Sequence, residues 1–190
     1  MKKEVYLISS IHRSGSSMVM RCLEAGGMPV VYSGDHEHLN TEFNTPDYVP
    51  NPNGFYAPPS DFEAVNKYTG NAFKFDFRLL LTLPVGIKYN ILFMKRNPDE
   101  IRASMSAFMP NQSWGVDAVI LELYTLVIDA ILEKVRERGD ATVTVLNYSD
   151  VVSNPQKEFQ KLVDAGWSFD VNKASVMVDE SLYRFKLETK

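Results

Sequence analysis

Residues 5–17 read VYLISSIHRSGSS, and this stretch decides the fold. Its first part, Val5–Ser9, is a short apolar run without helical periodicity, which is typical of a strand buried on both faces. The polar turn His12–Ser17 follows, and then a helix with apolar residues on one face that Gly26 and Gly27 end. A strand, a tight polar turn and a helix in this order open α/β nucleotide-binding folds.

Strands and helices alternate along the rest of the chain. Strands are expected at Ala72–Phe75, Ile91–Met94 and Thr142–Leu146, and helices near Asp61–Tyr68, after Asn97, at Gly115–Arg138 and at Pro155–Ala165. The helix at 115–138 has two apolar stripes and only a narrow polar edge, so most of it is expected to be buried. The sequence therefore predicts a single α/β domain over residues 1–190, with a three-layer parallel sheet flanked by helices.

The charge balance limits the classes of partner. Lys and Arg total 20 against 24 Asp and Glu, for a formal net charge of −4. A nucleic-acid-binding protein normally has a basic face, so that class is disfavoured, whereas a small anionic ligand needs only a few placed cations.

The single cysteine, Cys22, excludes an intrachain disulfide and favours a reducing compartment. The longest apolar stretch, Val116–Leu132, contains three acidic residues and is too polar for a membrane span. We therefore expect a cytoplasmic protein; no feature of the sequence indicates an oligomeric state.

Residues 33–60 form a segment of a different kind. They include five prolines with several Asn and Gly, and they have no sustained periodicity. A loop of that length in a compact domain is usually functional, and we interpret it as a substrate-side flap. Its aromatic residues either line an acceptor pocket or pin the loop to the core: Phe43, Tyr48, Phe55 and Tyr56.

Two groups of residues carry candidate chemistry. In the first, Arg13–Ser17, backbone N–H groups and the positive end of a helix would converge on one point, which favours a bound phosphate. The pattern is not a Walker A motif, and a turn with a solvated arginine is the alternative. In the second, Arg96 follows a buried strand and Ser104 lies about two helical turns further on. Arginine suits a phosphate, although strand-end arginines commonly form salt bridges instead.

Together the two groups resemble the sulfotransferase family. Residues 11–17, IHRSGSS, look like its 5′-phosphosulfate loop, basic-[ST]-G-[ST]-[ST]. Residues 96–104, RNPDEIRAS, look like its 3′-phosphate motif, R-x-P with a serine at the same spacing, and residues 146–151, LNYSDV, are similar to its Y-E-D-L segment. The order agrees over roughly residues 4–165. Short bacterial sulfotransferase-like proteins are the most similar, since residues 13–18, 23–27 and 51–56 also match their R-S-G-[ST]-S-M, L-E-A-G-G and N-P-x-G-[FY]-[YF] patterns.

The resemblance implies a P-loop NTPase-like sulfotransferase fold and a specific donor. That donor is 3′-phosphoadenosine 5′-phosphosulfate, whose sulfuryl group goes to an acceptor hydroxyl of a small molecule or glycan and leaves adenosine 3′,5′-bisphosphate. The residues implied to bind it are Arg13, Ser14, Gly15, Ser16, Ser17, Arg96, Ser104 and Tyr148. Arg13 would stabilise charge on the leaving phosphate without giving up its own proton. No metal is expected, because a phosphosulfate bears less charge than a triphosphate.

The general base is less clearly marked. Many family members read K-T-H on a strand after the flap, with the histidine as base, whereas residues 74–76 read KFD here. Asp76 would then replace the histidine, and the alternative is an aspartate paired with Lys74 or Arg78. Residues 35–38, DHEH, supply Glu37 and His36 as rival bases; they form only a partial metal-ligand set, and a solvated loop is the other interpretation.

Two departures from the family pattern keep other functions open. Its R-K-G segment near the C terminus has no match, and Arg184 and Lys186 are the candidates to replace it. Tyr148, implied to lie beside the adenine, is equally typical of a core residue. A non-catalytic nucleotide-binding module is therefore one alternative. A P-loop nucleotide kinase or hydrolase is the other, disfavoured by the missing Walker lysine and Walker B carboxylate.

Overall fold

The computed structural model of the chain describes residues 3–31, 65, 67–108, 118–183 and 185–186. In that part of the chain, four parallel strands form one sheet in the order β2-β1-β3-β4. The strands are β1 (Glu4–Ser10), β2 (Ala72–Lys74), β3 (Lys88–Lys95) and β4 (Ala141–Asn147). The helices are α1 (Ser16–Ala25), α2 (Pro98–Phe108), α3 (Ala118–Glu137), α4 (Tyr148–Ser153), α5 (Pro155–Asp164) and α6 (Val171–Val176), with 3₁₀ turns at Phe77–Thr82 and Glu180–Leu182.

Helices cover both faces of the sheet, as the sequence predicted. Alternate residues of each strand point to opposite faces. On one face, Ile8 of β1 and Leu92 of β3 pack with α1, α4 and α5, and on the other Leu7 and Ile91 pack with α3. Both faces of β1 and β3 are buried, which explains why these strands are continuous apolar runs in the sequence rather than alternating ones. The α/β class with a parallel sheet flanked by helices is confirmed.

The start of α2 shows how local sequence sets an element boundary. The Asn97 side chain accepts a hydrogen bond from the backbone N–H of Asp99 at 2.8 Å, so Asn97 caps the helix as predicted. Pro98 occupies the first turn, where its missing N–H costs nothing, and Asp99 and Glu100 follow at the positive end of the helix dipole. This cap fixes where the chain turns after β3, and hence where Arg96 lies.

The expectation that most of the long helix is buried was wrong. Among the described side chains of α3, one stripe is buried, formed by Leu121, Ile128, Leu132 and Val135. Leu126 is 71% exposed, and Leu123 and Val127 are about half exposed. The other apolar stripe, which includes Leu123 and Val127, therefore faces away from the sheet. No described helix is long and apolar enough to cross a bilayer.

Candidate functional site

The loop between β1 and α1 lies at the carboxyl edge of the sheet. β1 ends at Ser10 and α1 begins at Ser16, so five residues make the turn. β1 is an interior strand, paired with β2 on one side and β3 on the other, so residues that follow all three strands converge here. The carboxyl ends of strands are where open α/β sheets bind their ligands.

The backbone of this loop has the shape of an anion-binding turn. Arg13 is the only described residue other than glycine with positive φ, at 68°, and Gly15 follows with φ 91°. Gly15 is the N-cap of α1 and has no side chain to accept from the first helical N–H groups. Alternating left-handed residues at a helix start turn successive backbone N–H groups to one side, where a phosphate or sulfate oxygen can accept them.

A tight contact explains why glycine occupies position 15. A Cβ atom built there would lie 2.4 Å from Cδ2 of Tyr148, which is closer than real Cβ contacts come. The Tyr148 ring is 5% exposed and belongs to the core on the α1 face. The Tyr148 ring therefore packs directly against the loop at Gly15. Its role beside an adenine stays a prediction, and its burial supports the alternative of a core residue.

Two cations meet at the loop. Lys74, the last residue of β2, donates from Nζ to Oγ of Ser17 at 2.7 Å. Burial, together with the positive charge of Arg13, lowers the pKa of Lys74 to about 8. An anion placed between the two cations would favour the charged form of Lys74 and raise that pKa again. The sequence analysis considered Lys74 only as a possible partner of Asp76; the parallel register that pairs Ile8 with Lys74 is what brings its side chain to the loop.

The two groups of residues predicted from the sequence come together in space. Arg13 donates from Nε to Oγ of Ser104 at 3.0 Å, and Arg96 donates from Nη1 to the backbone carbonyl of Arg13 at 3.1 Å. Ser104 is 3% exposed and Ser14 is 1% exposed, so both hydroxyls lie inside the site and not on its rim. A cleft of about 60 Å³ lies beside Ser14 and Arg96.

Arg96 is held by partners within the protein. Its Nε donates to Oε2 of Glu100 at 2.9 Å, and the two side chains are 7% and 5% exposed. Its guanidinium lies 4.5 Å from the ring centre of Tyr148 and 5.5 Å from that of Tyr183. The predicted 3′-phosphate arginine thus forms the buried salt bridge that was its alternative, and 3′-phosphate binding by Arg96 stays a prediction.

Asp76 has the pairing foreseen as its alternative. It is buried, it accepts from the backbone N–H of Arg78 at 2.9 Å and so caps the 3₁₀ turn, and both of its oxygens accept from the Arg78 guanidinium. A proton acceptor needs an oxygen directed at the acceptor hydroxyl. With both oxygens bound to Arg78, Asp76 would have to change partners before it acted as a base.

His12 is a titratable group at the loop that the sequence analysis passed over. Desolvation by the surrounding protein lowers the pKa of its imidazole, although the residue as a whole is exposed, and the nearby charge of Asp76 partly offsets that effect. A neutral imidazole beside an anion site is chemically able to accept a proton. The sequence feature that could have identified His12 is its position in the turn after β1, next to Arg13.

Several predicted residues lie outside the described part of the chain. These are the flap at 33–60 with Glu37, His36 and its four aromatic residues, and Arg184 near the C terminus. Lys186 is described, and its Nζ lies 5.9 Å from the ring centre of Tyr183, on the segment that also contacts Arg96.

Comparison with known proteins adds no relative to this picture. The chain matches no protein-family model and no curated protein. The candidate site is therefore defined by its own residues: the left-handed turn at Arg13–Gly15, the cations Arg13 and Lys74, and the hydroxyls of Ser17 and Ser104.

Proposed function

We propose that the loop at residues 13–17 binds the 5′-phosphosulfate group of 3′-phosphoadenosine 5′-phosphosulfate and that the protein is a sulfotransferase with a P-loop-like fold. One observation carries the proposal: a left-handed turn between an interior strand and an α1 start without a capping side chain, with Arg13 and Lys74 beside it. Such a turn presents backbone N–H groups and helix-end charge to an anion. The sequence patterns of residues 11–17 and 96–104, which resemble those of sulfotransferases, favour the phosphosulfate over other anions as the ligand.

The residues at the loop fit the anionic half of this donor. When bound, the donor supplies a sulfuryl group for an acceptor hydroxyl. Arg13 keeps its charge at every relevant pH, so it can stabilise negative charge on the phosphate electrostatically but cannot act as an acid. Lys74 adds a second positive charge and orients the Ser17 hydroxyl through its hydrogen bond.

A non-catalytic nucleotide-binding module is the second candidate. The pairing of Asp76 with Arg78 favours it, because the residue in the place of the family's base is already engaged. In this candidate the loop still binds the bisphosphate, while no hydroxyl acceptor is sulfated.

The test of the cofactor class is a calorimetric titration with adenosine 3′,5′-bisphosphate. We expect a dissociation constant in the micromolar range, and in Arg13→Ala a loss of tenfold or more (about 1.4 kcal/mol per tenfold), because a charge-assisted contact to the phosphate is removed. Arg102→Ala is the matched control. Arg102 pairs with Asp99 on the surface of α2, and its side chain is 51% exposed, so its loss changes the net charge equally without touching the loop.

ATP with Mg²⁺ is the competing ligand in this titration. Tighter binding of ATP–Mg²⁺ than of the bisphosphate would overturn the proposal in favour of a nucleotide kinase or hydrolase. Binding of the bisphosphate with no sulfation of any hydroxyl acceptor would favour the non-catalytic module.

The protonation of Lys74 should make the affinity for the bisphosphate depend on pH in the same titration. Its pKa is about 8 in the free protein, and a bound anion raises it, so binding takes up a proton above pH 8. The affinity should therefore fall as pH rises, by about tenfold between pH 7 and pH 9, because a group with pKa 8 loses about nine tenths of its charge over that interval. The ligand's phosphates add little there, since their second pKa is about 6.

Lys74→Met separates this effect from other titrations. The variant should bind more weakly at pH 7 and show an almost flat affinity from pH 7 to pH 9. An equally steep profile in Lys74→Met would mean that another group takes up the proton.

A further inference from the structure

Three consecutive hydrogen bonds join the C-terminal segment to the anion-binding loop. The Tyr183 hydroxyl donates to Oε1 of Glu100 at 2.7 Å, Arg96 Nε donates to Oε2 of the same carboxylate at 2.9 Å, and Arg96 Nη1 donates to the Arg13 carbonyl at 3.1 Å. Each oxygen of Glu100 thus accepts from a different side chain. Tyr183 lies 83 residues after Glu100 in the sequence, and Arg13 lies 83 residues before Arg96. Only the fold therefore brings these groups together.

The middle of this hydrogen-bond relay, which runs from Tyr183 through Glu100 and Arg96 to Arg13, is buried. Glu100 and Arg96 are 5% and 7% exposed, and the guanidinium lies against the rings of Tyr148 and Tyr183, which meet edge to face at 4.9 Å. Burial and the neighbouring Glu100 raise the pKa of Tyr183 to about 12, so its hydroxyl remains a hydrogen-bond donor throughout the physiological pH range. Buried charge-assisted hydrogen bonds of this kind fix geometry more firmly than exposed ones.

The relay ends on the strained part of the loop. Arg13 has φ 68°, a left-handed conformation that costs an L-residue energy unless its surroundings hold it. Arg96 binds the carbonyl of that residue, while the Tyr148 ring beneath Arg96 also lies against Gly15. Both left-handed residues of the turn are thus held from the same side, by Arg96 and by the ring on which it stacks.

We propose that Glu100 and Tyr183 are positioning residues for the anion-binding loop: they hold Arg96 against the Arg13 carbonyl and so keep the turn in its binding shape before a ligand arrives. The inference rests on the proposed function in so far as the loop is taken as the anion site. The docking of the C-terminal segment and the affinity of the loop are then thermodynamically coupled, and each stabilises the other.

Tyr183→Phe is the variant that tests this role. It removes only the hydroxyl and keeps the ring that packs on Tyr148 and Arg96. The matched control is Tyr89→Phe. Tyr89 is a buried tyrosine whereas Tyr183 is partly buried, but the Tyr89 hydroxyl likewise donates to an oxygen (Pro84 O, 2.8 Å), and burial likewise raises its pKa to about 12. Tyr89 lies near the amino end of β3, at the opposite edge of the sheet from the loop.

The first readout is amide hydrogen exchange, which needs no ligand. In Tyr183→Phe, residues 11–17 should exchange about threefold to tenfold faster than in wild type, the range expected when a charge-assisted hydrogen bond is lost, while β1 and β3 keep their rates. In Tyr89→Phe, residues 11–17 should be unchanged. Unchanged exchange at 11–17 in Tyr183→Phe, or an equal increase across β1, β3 and the loop, would overturn the positioning role.

The second readout compares two ligands, adenosine 3′,5′-bisphosphate and adenosine 5′-monophosphate. Since the relay acts on the loop, Tyr183→Phe should weaken both by the same factor, about threefold to tenfold. A loss confined to the bisphosphate would mean that the cluster serves the 3′-phosphate directly, and would overturn the inference. If wild type bound neither nucleotide, the proposed function would fall, and hydrogen exchange would still decide whether Tyr183 positions the loop.

Discussion

Gly15→Ala is expected to abolish binding of adenosine 3′,5′-bisphosphate and to lower the free energy of unfolding by about 3–5 kcal/mol. The added methyl group would lie 2.4 Å from Tyr148 Cδ2, and φ at this position is 91°. The backbone must therefore leave its left-handed conformation or the tyrosine must leave the core. Both responses disrupt the turn that presents its N–H groups to the anion. Urea unfolding followed by tryptophan fluorescence, to which Trp167 (2% exposed) contributes, measures the stability loss, and calorimetry measures the binding.

Gly86→Ala separates backbone strain from the steric clash. Gly86 has nearly the same φ, 86°, but a Cβ there meets no atom within 4 Å. We expect a loss of about 1–2 kcal/mol from the left-handed backbone alone and unchanged nucleotide binding. Equal stability losses in the two variants would show that the Tyr148 contact does not constrain position 15.

Arg96→Met is expected to lower the free energy of unfolding by about 3–5 kcal/mol, because it leaves the Glu100 carboxylate buried without its cation. Methionine keeps the apolar stem against Tyr148 and removes the guanidinium. The variant should also lose most nucleotide affinity, since the Arg13 carbonyl no longer has its donor. Equilibrium urea unfolding at neutral pH, together with calorimetric titration, checks both effects.

The double variant Arg96→Met with Glu100→Leu tests the cause of that loss. Removing both charges of a buried pair costs less than removing one, so the double variant should be more stable than Arg96→Met by about 2 kcal/mol. Arg102→Met is the surface control, because Arg102 and Asp99 are both more than half exposed and such pairs contribute less than about 1 kcal/mol. A double variant less stable than Arg96→Met would indicate that Glu100 stabilises the fold through contacts other than its pair with Arg96.

The order of strands and helices could be predicted from the sequence because the signals are local. β1 and β3 are continuous apolar runs, Asn97 and Pro98 mark the start of α2, and Gly26 marks the end of α1. Each signal acts within a few residues of the boundary it sets. The burial of α3 was misjudged because an apolar stripe shows which residues prefer to be covered, not how many layers of the fold are there to cover them.

The candidate site could be predicted only in part. Arg13, Gly15 and Ser17 stand together in the sequence and form one turn in the structure. Lys74 joins them through strand pairing across 57 residues, a distance over which single-sequence patterns carry no information. The partner of Arg96 is different, since Glu100 stands at the i+4 spacing that favours an ion pair. The spacing could be read from the sequence, whereas the burial that makes the pair strong depends on Tyr148 and Tyr183, which follow dozens of residues later.

The parallel pairing of β1 with β3 also governs how the chain reaches its fold. Glu4 and Lys88, partners at the start of the two strands, are 84 residues apart, and among the described strands β2, at Ala72, is the nearest to β1 along the chain. At a synthesis rate of about 5–20 residues per second, the apolar β1 segment is made several seconds before its partners. During that time its apolar part, Val5–Ile8, is unpaired, and such a segment is prone to aggregate. We therefore expect this protein to fold most efficiently when its first strand is protected until β2 and β3 have been made.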